Sequence, residues 1–181
     1  MKFLIASDIH GSAHFARLLA KRYEAEGASR LLLLGDLLYH GPRNALPEEY
    51  YPAGVAAVLN ELKDDILAVK GNCDSSVDQA VLSFPIEAPY AVVFDGEATL
   101  YLSHGDIFTP EAPLPHKKGD VLLTGHTHVP HVIRKDMLFL NPGSVSIPKG
   151  DSDHSYLVYE SGLFTFKKID GTVYNQVPLC E

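Results

Sequence analysis

His126 and His128 stand one residue apart in Gly125-His126-Thr127-His128, directly after the apolar run Val121-Leu122-Leu123 and before Pro130. An apolar run that gives way to glycine reads as a strand stopping in a turn. Two imidazoles so placed do not simply alternate into a core. If Gly125 lets the backbone bend, both rings converge on one region, as a pair of neighbouring metal ions would require. Taken alone, the motif reads equally well as a polar surface turn. Its weight comes from four further places where an apolar run ends in a short polar cluster. Phe3 to Ala6 runs into Asp8-Ile9-His10, Leu31 to Leu34 into Gly35-Asp36, Ile66 to Val69 into Gly71-Asn72-Cys73-Asp74, and Thr99 to Ser103 into His104-Gly105-Asp106.

The candidate donors are therefore Asp8, His10, Asp36, Asn72, His104, His126 and His128, all oxygen or nitrogen ligands. The absence of a thiolate from this set excludes a structural cysteine-type zinc site. Imidazole is a poor ligand for magnesium and calcium, so the set favours a transition metal. Seven donors exceed the needs of one tetrahedral ion. They suit two divalent ions roughly 3.5–4 Å apart, bridged by one carboxylate and one hydroxide. Each donor also has an ordinary reading: Asp8 as a helix N-cap, Asp36 and Asn72 as turn residues after glycine, His104 as a loop histidine. These readings weaken jointly, because each residue falls at the end of an apolar strand.

The elements that must position these residues follow from periodicity. Helical spacing of Phe15, Leu18, Leu19 and Tyr23 predicts a helix from about Ser12 to an end near Gly27. A second helix starts at Pro52 with Val55, Val58, Leu59 and Leu62 inward, and Ser75 or Ser76 caps a short helix over 77–82. Residues 37–51 read as a long loop broken by Gly41-Pro42 and Pro47. The second half reads as strands at 91–94, 99–103, 121–124, 131–133, 138–140, 155–159 and 163–168. Asp95-Gly96 and Ser161-Gly162 are hairpin signals. βαβ units giving way to a β-rich half predict an α/β fold: two stacked mixed β-sheets flanked by helices, in one domain over 1–181. The candidate site then lies along the carboxyl edge of the sheets.

Composition bounds the function. The chain has 181 residues, 46% apolar and 21% charged, with 15 basic and 23 acidic side chains and a net charge of −8. That balance suits a protein holding divalent cations and argues against a long nucleic acid or an acidic membrane as partner. Cys73 and Cys180 form no disulfide framework, which points to a reducing cytoplasm. No apolar run approaches the roughly 20 residues that span a bilayer.

The motifs around Asp8-x-His10, Asp36, Asn72, His104 and His126-x-His128 occur in the order and spacing of the calcineurin-like metallophosphoesterases. Asn141-Pro142-Gly143-Ser144 and Gly41-Pro42-Arg43-Asn44 narrow the resemblance to the small bacterial YfcE-like phosphodiesterases, over essentially the whole chain. The resemblance implies hydrolysis of small phosphodiesters at a dinuclear site, with manganese the first choice and zinc, iron(II) or magnesium as alternatives. It places Asp8, His10 and His128 on one ion, Asn72, His104 and His126 on the other, and Asp36 between them. Asp36, Asn72 and His128 are the expected catalytic residues. A hydroxide shared by two dications would attack phosphorus in line, with no covalent intermediate.

Cys73 replaces the histidine that protonates the leaving group in the broad superfamily. A thiol fits that role poorly, so good leaving groups are expected to be favoured. Cys73 and Arg43 are the expected substrate contacts. His40, Lys117, Lys118 and Tyr39 are further candidates, each with a solvated or packed alternative, and His14, His116, His131 and His154 read as structural or exposed. Tyr50-Tyr51 and Val177-Pro178-Leu179 leave room for a homo-oligomer interface.

Three competing functions remain: a nucleotide or protein phosphomonoesterase, a binding scaffold like the eukaryotic retromer subunit of this fold, and a nuclease. The full donor set argues against a scaffold, and the acidic balance argues against a nuclease. Asp36, serving both ions, is expected to be the donor whose loss costs most. Asp36→Ala should abolish turnover and metal loading, and a variant that kept full activity with two bound metals would refute the shared site.

Overall fold

The computed structural model describes residues 1–96 and 98–179. Cys180, and with it any pairing to Cys73, lies outside the described residues. In chain order the elements are β1 (Lys2–Ala6), α1 (Ala13–Glu26), β2 (Arg30–Leu33), α2 (Pro52–Glu61), β3 (Ile66–Ala68), α3 (Ser76–Gln79), β4 (Tyr90–Asp95), β5 (Ala98–Ser103), β6 (Val121–Leu123), β7 (His131–Arg134), β8 (Leu138–Asn141), β9 (Ser155–Glu160), β10 (Leu163–Lys168) and β11 (Val173–Pro178).

Two sheets are stacked. One has the order β11-β10-β9-β1-β2-β3 and the other β4-β5-β6-β8-β7. β1, β2 and β3 are mutually parallel, as are β5, β6 and β8, while the outer strands run antiparallel. Period-2 alternation explains the layers. Phe3 and Ile5 of β1, Leu100 and Leu102 of β5, and Val121 and Leu123 of β6 fill the space between the sheets. Leu4 and Ala6 face the opposite way, onto Phe15, Leu19 and Tyr23 of α1 and Val55 and Leu59 of α2. Leu122 and Phe139, on the outer face of the second sheet, are covered by Leu114 and Phe108 from the irregular segment after β5. Both faces of the central strands are thus buried, which is why they read as continuous apolar runs.

Local chemistry sets the helix ends. Ser12 accepts a hydrogen bond from the Phe15 N–H and caps α1, so Asp8 is not its cap. Gly27 closes α1 in the left-handed conformation, at φ 60°. Pro52 occupies the first turn of α2, and Ser75 and Asp78 form a reciprocal capping box on α3, which is one turn long rather than the longer helix expected. β11 had no strong sequence signal. It is an edge strand in which Val177 is buried among the intersheet residues and most others are exposed. Val177 is therefore core, not free interface surface, while Tyr51 is 58% exposed.

One half-buried carboxylate ties α1 to the first sheet. Glu26, its side chain 10% exposed, accepts hydrogen bonds from Lys167 Nζ at 2.7 and 2.8 Å and from Tyr156 Oη at 2.8 Å, with Lys2 Nζ 3.7 Å away. Burial pushes this carboxyl up, but the Lys167 and Tyr156 hydrogen bonds and the lysine charges hold it below the usual range. A depressed folded-state value stabilises the protein above the unfolded pKa, and the contribution is lost as pH falls through the folded one. Glu26→Gln is expected to cost about 2 kcal/mol at neutral pH. In urea titrations, the gap between wild type and variant should close as pH drops below about 4. A gap independent of pH would show that charge at Glu26 contributes nothing.

Candidate metal centre

The residues after β1, β2, β3, β5 and β6 meet at one edge of the sandwich, and the segment after β8 closes behind them. These strand ends do not turn through glycine alone. Asp8 (φ 59°), His10 (48°), Asp36 (57°), His126 (66°) and His128 (61°) all adopt left-handed backbone. Such a conformation costs a non-glycine residue about 1–3 kcal/mol and persists only where the surroundings hold it. Here cross-strand amides do so: the Asp8 N–H donates to the Gly35 carbonyl, that of His10 to Asp36, and that of Gly125 to His104. Gly125, read from sequence as the bend, has another role. A Cβ there would sit 1.9 Å from Ser7 Oγ and 2.7 Å from Asp8 Oδ2, so the turn packs directly onto β1's end. The histidines themselves make the bend.

All seven predicted donors converge, and they do so in two groups. In the first, His10 Nε2 and His128 Nε2 are 3.1 Å apart and lie 3.6 and 3.4 Å from Asp8 Oδ1. In the second, Asn72 Oδ1 lies 2.9 Å from His104 Nε2 and 2.7 Å from His126 Nδ1, with the two rings' nitrogens 3.3 Å apart. Asp36 Oδ2 stands between the groups, 3.7 Å from His10 Nε2 and 3.3 Å from His104 Nε2.

The rings are aimed from outside the cluster. Nδ1 of His10, His104 and His128 lies 2.7, 2.7 and 2.6 Å from the carbonyls of Tyr39, Leu34 and Ile147. A neutral imidazole that donates through Nδ1 turns a lone pair inward at Nε2, the usual arrangement for a metal-ligating histidine. Asp8 Oδ1 is buried without a hydrogen-bond partner. An orphaned carboxylate oxygen facing two inward lone pairs is a cavity shaped for a cation, so these residues fit divalent metal ions.

Comparison with known proteins accords with this geometry. Residues 1–162 match the calcineurin-like phosphoesterase superfamily domain. The chain belongs to that superfamily. It is 50% identical over 157 residues to phosphodiesterase YfcE of Escherichia coli K12, covering 86% of this chain and 85% of the relative. A solved structure of YfcE, a phosphoesterase from E. coli, superposes with a TM-score of 0.96 at 44% identity, covering 99% of this chain and 100% of that one. Vps29 from Entamoeba histolytica, solved in complex with zinc, shares the fold at a TM-score of 0.64 and 20% identity, covering 99% of both chains.

The phosphoesterase cluster carries its own charge pattern. Burial would raise the Asp36 carboxyl, but the adjacent His104 and the Cys73 N–H hold it down at about 2. Burial would lower His104, yet Asp36 and Asp8 raise it to about 9. His10 is raised for the same reason, while burial lowers His126 and His128. In the metal-free protein, a proton on His104 therefore supplies positive charge beside the carboxylates.

Asp74 and Asn141 were visible in sequence only as motif letters, and the fold shows what they do. Asp74, 6% exposed, accepts from the backbone N–H groups of Gly71, Asp36 and Leu37 at 2.8, 2.8 and 2.9 Å. Asn141 donates to the Gly125 carbonyl at 2.6 Å and to Thr127 Oγ1 at 3.1 Å. Ser144 and Ser146 both donate to the Asp8 carbonyl. Buried side chains bonded to main chain were the available signal. None of these roles needs a hydrophobic period, so pattern reading passes over them.

The cluster opens into a cleft of about 720 Å³, lined by five of its donors (His10, Asp36, Asn72, His126 and His128) together with Gly41, Pro42, Arg43, Asn44, Cys73, Thr127 and Lys149. Arg43 and Cys73 stand where expected. Tyr39, His40, Lys117 and Lys118 do not line the cleft. His40 packs edge-on between Tyr39 and Tyr50, and the segment carrying the two lysines lies over the far face of the second sheet. Lys149 was missed, because it follows a Ser-Ile-Pro stretch with no motif of its own. Burial and the nearby Asp36 push the Cys73 thiol up to about 12, so it stays neutral. Asp74→Ala would strand three buried amides, each costing about 1–3 kcal/mol. Its denaturation midpoint in chelator-treated protein should drop well below that of Asp74→Asn, which keeps one acceptor. Equal midpoints would remove Asp74 as the anchor of this turn.

Proposed function

We propose that this phosphoesterase hydrolyses small phosphodiesters using two divalent ions, preferably manganese. Asp8, His10 and His128 hold one ion, Asn72, His104 and His126 the other, and Asp36 serves both. The observation that carries this reading is the position of Asp36 Oδ2, within 3.7 Å of a nitrogen in each histidine group. Nitrogen-rich donors with two carboxylates suit manganese, zinc or iron(II) better than magnesium. Ions held there acidify water and neutralise phosphoryl oxygens.

The chain's own residues do the positioning. The Cys73 N–H donates to Asp36 Oδ1 at 2.8 Å, which leaves Oδ2 turned to the cluster. Asn72 and His126 meet at the cleft wall, where a phosphoryl oxygen would approach. Arg43 faces the same cleft and offers a planar donor pair to an anionic ester. Cys73, held neutral, is not a thiolate nucleophile, and a thiol whose pKa lies so far above the operating pH is a poor general acid for the leaving group. Leaving groups that depart as stable anions are therefore preferred. A free Cys73 thiol beside the site suits a reducing cytoplasm, where we place the protein.

The test compares bis-p-nitrophenyl phosphate with p-nitrophenyl phosphate on chelator-stripped protein, with manganese, zinc or magnesium added back. Diester turnover should return with manganese and fall at least about 100-fold in His128→Ala, the scale seen when a metal site loses its support. Preference for the monoester would make the protein a phosphomonoesterase instead.

A further inference from the structure

The cleft differs in charge from the chain that forms it. The chain carries 23 acidic and 15 basic side chains. The cleft lining outside the donor cluster contains Arg43 and Lys149 and no carboxylate. The two cations stand on separate walls. Arg43 follows the Gly41-Pro42 turn, and a Cβ on Gly41 would lie 3.2 Å from Cys73 Sγ, which places this wall beside the Asn72 group. Lys149 stands behind the other group. Its N–H donates to the His128 carbonyl at 3.1 Å, its carbonyl accepts from Ser152 Oγ at 2.7 Å, and its charge is felt at His128. Both side chains are exposed, and among the described residues no carboxylate lies in ion-pair reach of either. The Lys149 backbone is fixed to the cluster through the His128 carbonyl, and the Arg43 turn is closed internally by Asn44, which donates through Nδ2 to the His40 carbonyl.

A charge count shows what these cations face. On the proposed function, on which this inference rests, two dications offset by Asp8, Asp36 and one hydroxide leave a net charge of about +1. Arg43 and Lys149 raise it to about +3, whereas a simple diester brings only −1. We infer that the natural substrate is a phosphodiester carrying a second phosphate on one of its two alcohol halves, which Arg43 and Lys149 clamp while the diester phosphorus sits at the cluster. Arg43 matches a phosphate as a bidentate fork and Lys149 as a point charge. Neither group takes part in bond breaking; both bind substrate.

The experiment pairs two esters with one chromophore: the 3′-(p-nitrophenyl phosphate) of thymidine with and without a 5′-phosphate. Manganese-loaded wild type should show kcat/KM at least roughly tenfold higher for the 5′-phosphorylated ester, the scale of one charge-assisted hydrogen bond. Lys149→Met and Arg43→Met should each shrink that ratio about tenfold. The ratio, rather than either rate, is the readout.

Calorimetry gives a second readout that needs no turnover. Thymidine 3′,5′-bisphosphate should bind wild type at least roughly tenfold tighter than thymidine 3′-monophosphate, and each variant should lose that advantage. Equal kcat/KM for the two esters, a ratio unchanged in both variants, or no turnover of the 5′-phosphorylated ester by protein that hydrolyses bis-p-nitrophenyl phosphate would overturn the inference. Failure on bis-p-nitrophenyl phosphate itself would instead overturn the diesterase reading.

Discussion

Asp36 is the residue on which the rest of the site depends. Its carboxylate lies between two histidine groups, 3.7 Å from His10 and 3.3 Å from His104. One oxygen is fixed by the Cys73 amide and its own amide is fixed by Asp74. A carboxylate buried this deeply is costly unless positive charge stands beside it. Its depressed pKa and the raised one of His104 place such charge beside it as a proton on that ring. A cation would take that proton's place, so metal affinity and protonation compete at the same atom.

Among the described residues, five of the eight non-glycine residues with left-handed backbone belong to this arrangement. Asp8, His10, Asp36, His126 and His128 are held in a conformation that side chains ordinarily avoid. Each sits where a strand buried on both faces has just ended, so the strain is borne by a rigid base. Buried polar residues outside the cluster complete the support: Asp74 gathers three amides, Asn141 braces the 125–127 turn, and Ser144 and Ser146 hold the Asp8 carbonyl. The result is a preorganised set of donors rather than one assembled by its ligand.

Much of this was legible in the sequence because burial on both faces leaves long apolar runs, and a polar cluster ending such a run stands out. The strands through Leu4, Leu32, Leu67, Leu102 and Leu122 were read that way, and all seven donors at their ends converge. What escaped was structure without a period. β11 is an edge strand with one buried side chain, so it carries no alternating signal worth reading. Lys149 reaches the cleft only because the chain after β8 folds back along His128. Lys117 and Lys118 lie in the segment that follows His104 in sequence, yet that segment is drawn away by Leu114 and Phe108, which must cover Leu122 and Phe139. Proximity in sequence gave way there to the demand for a covered sheet face.

The two donor groups each draw on both sheets. Asp8 and His10 follow β1 in one sheet and meet His128 from the other. Asn72 follows β3 and meets His104 and His126 across the same seam. No sheet owns a whole group, so the seam has no half-built state that keeps one group intact. Sliding one sheet past the other by a single residue would part every pairing that crosses the seam at once. The cluster works as a rivet through two plates, and a rivet of this kind resists shear while leaving each plate's outer edge free to vary.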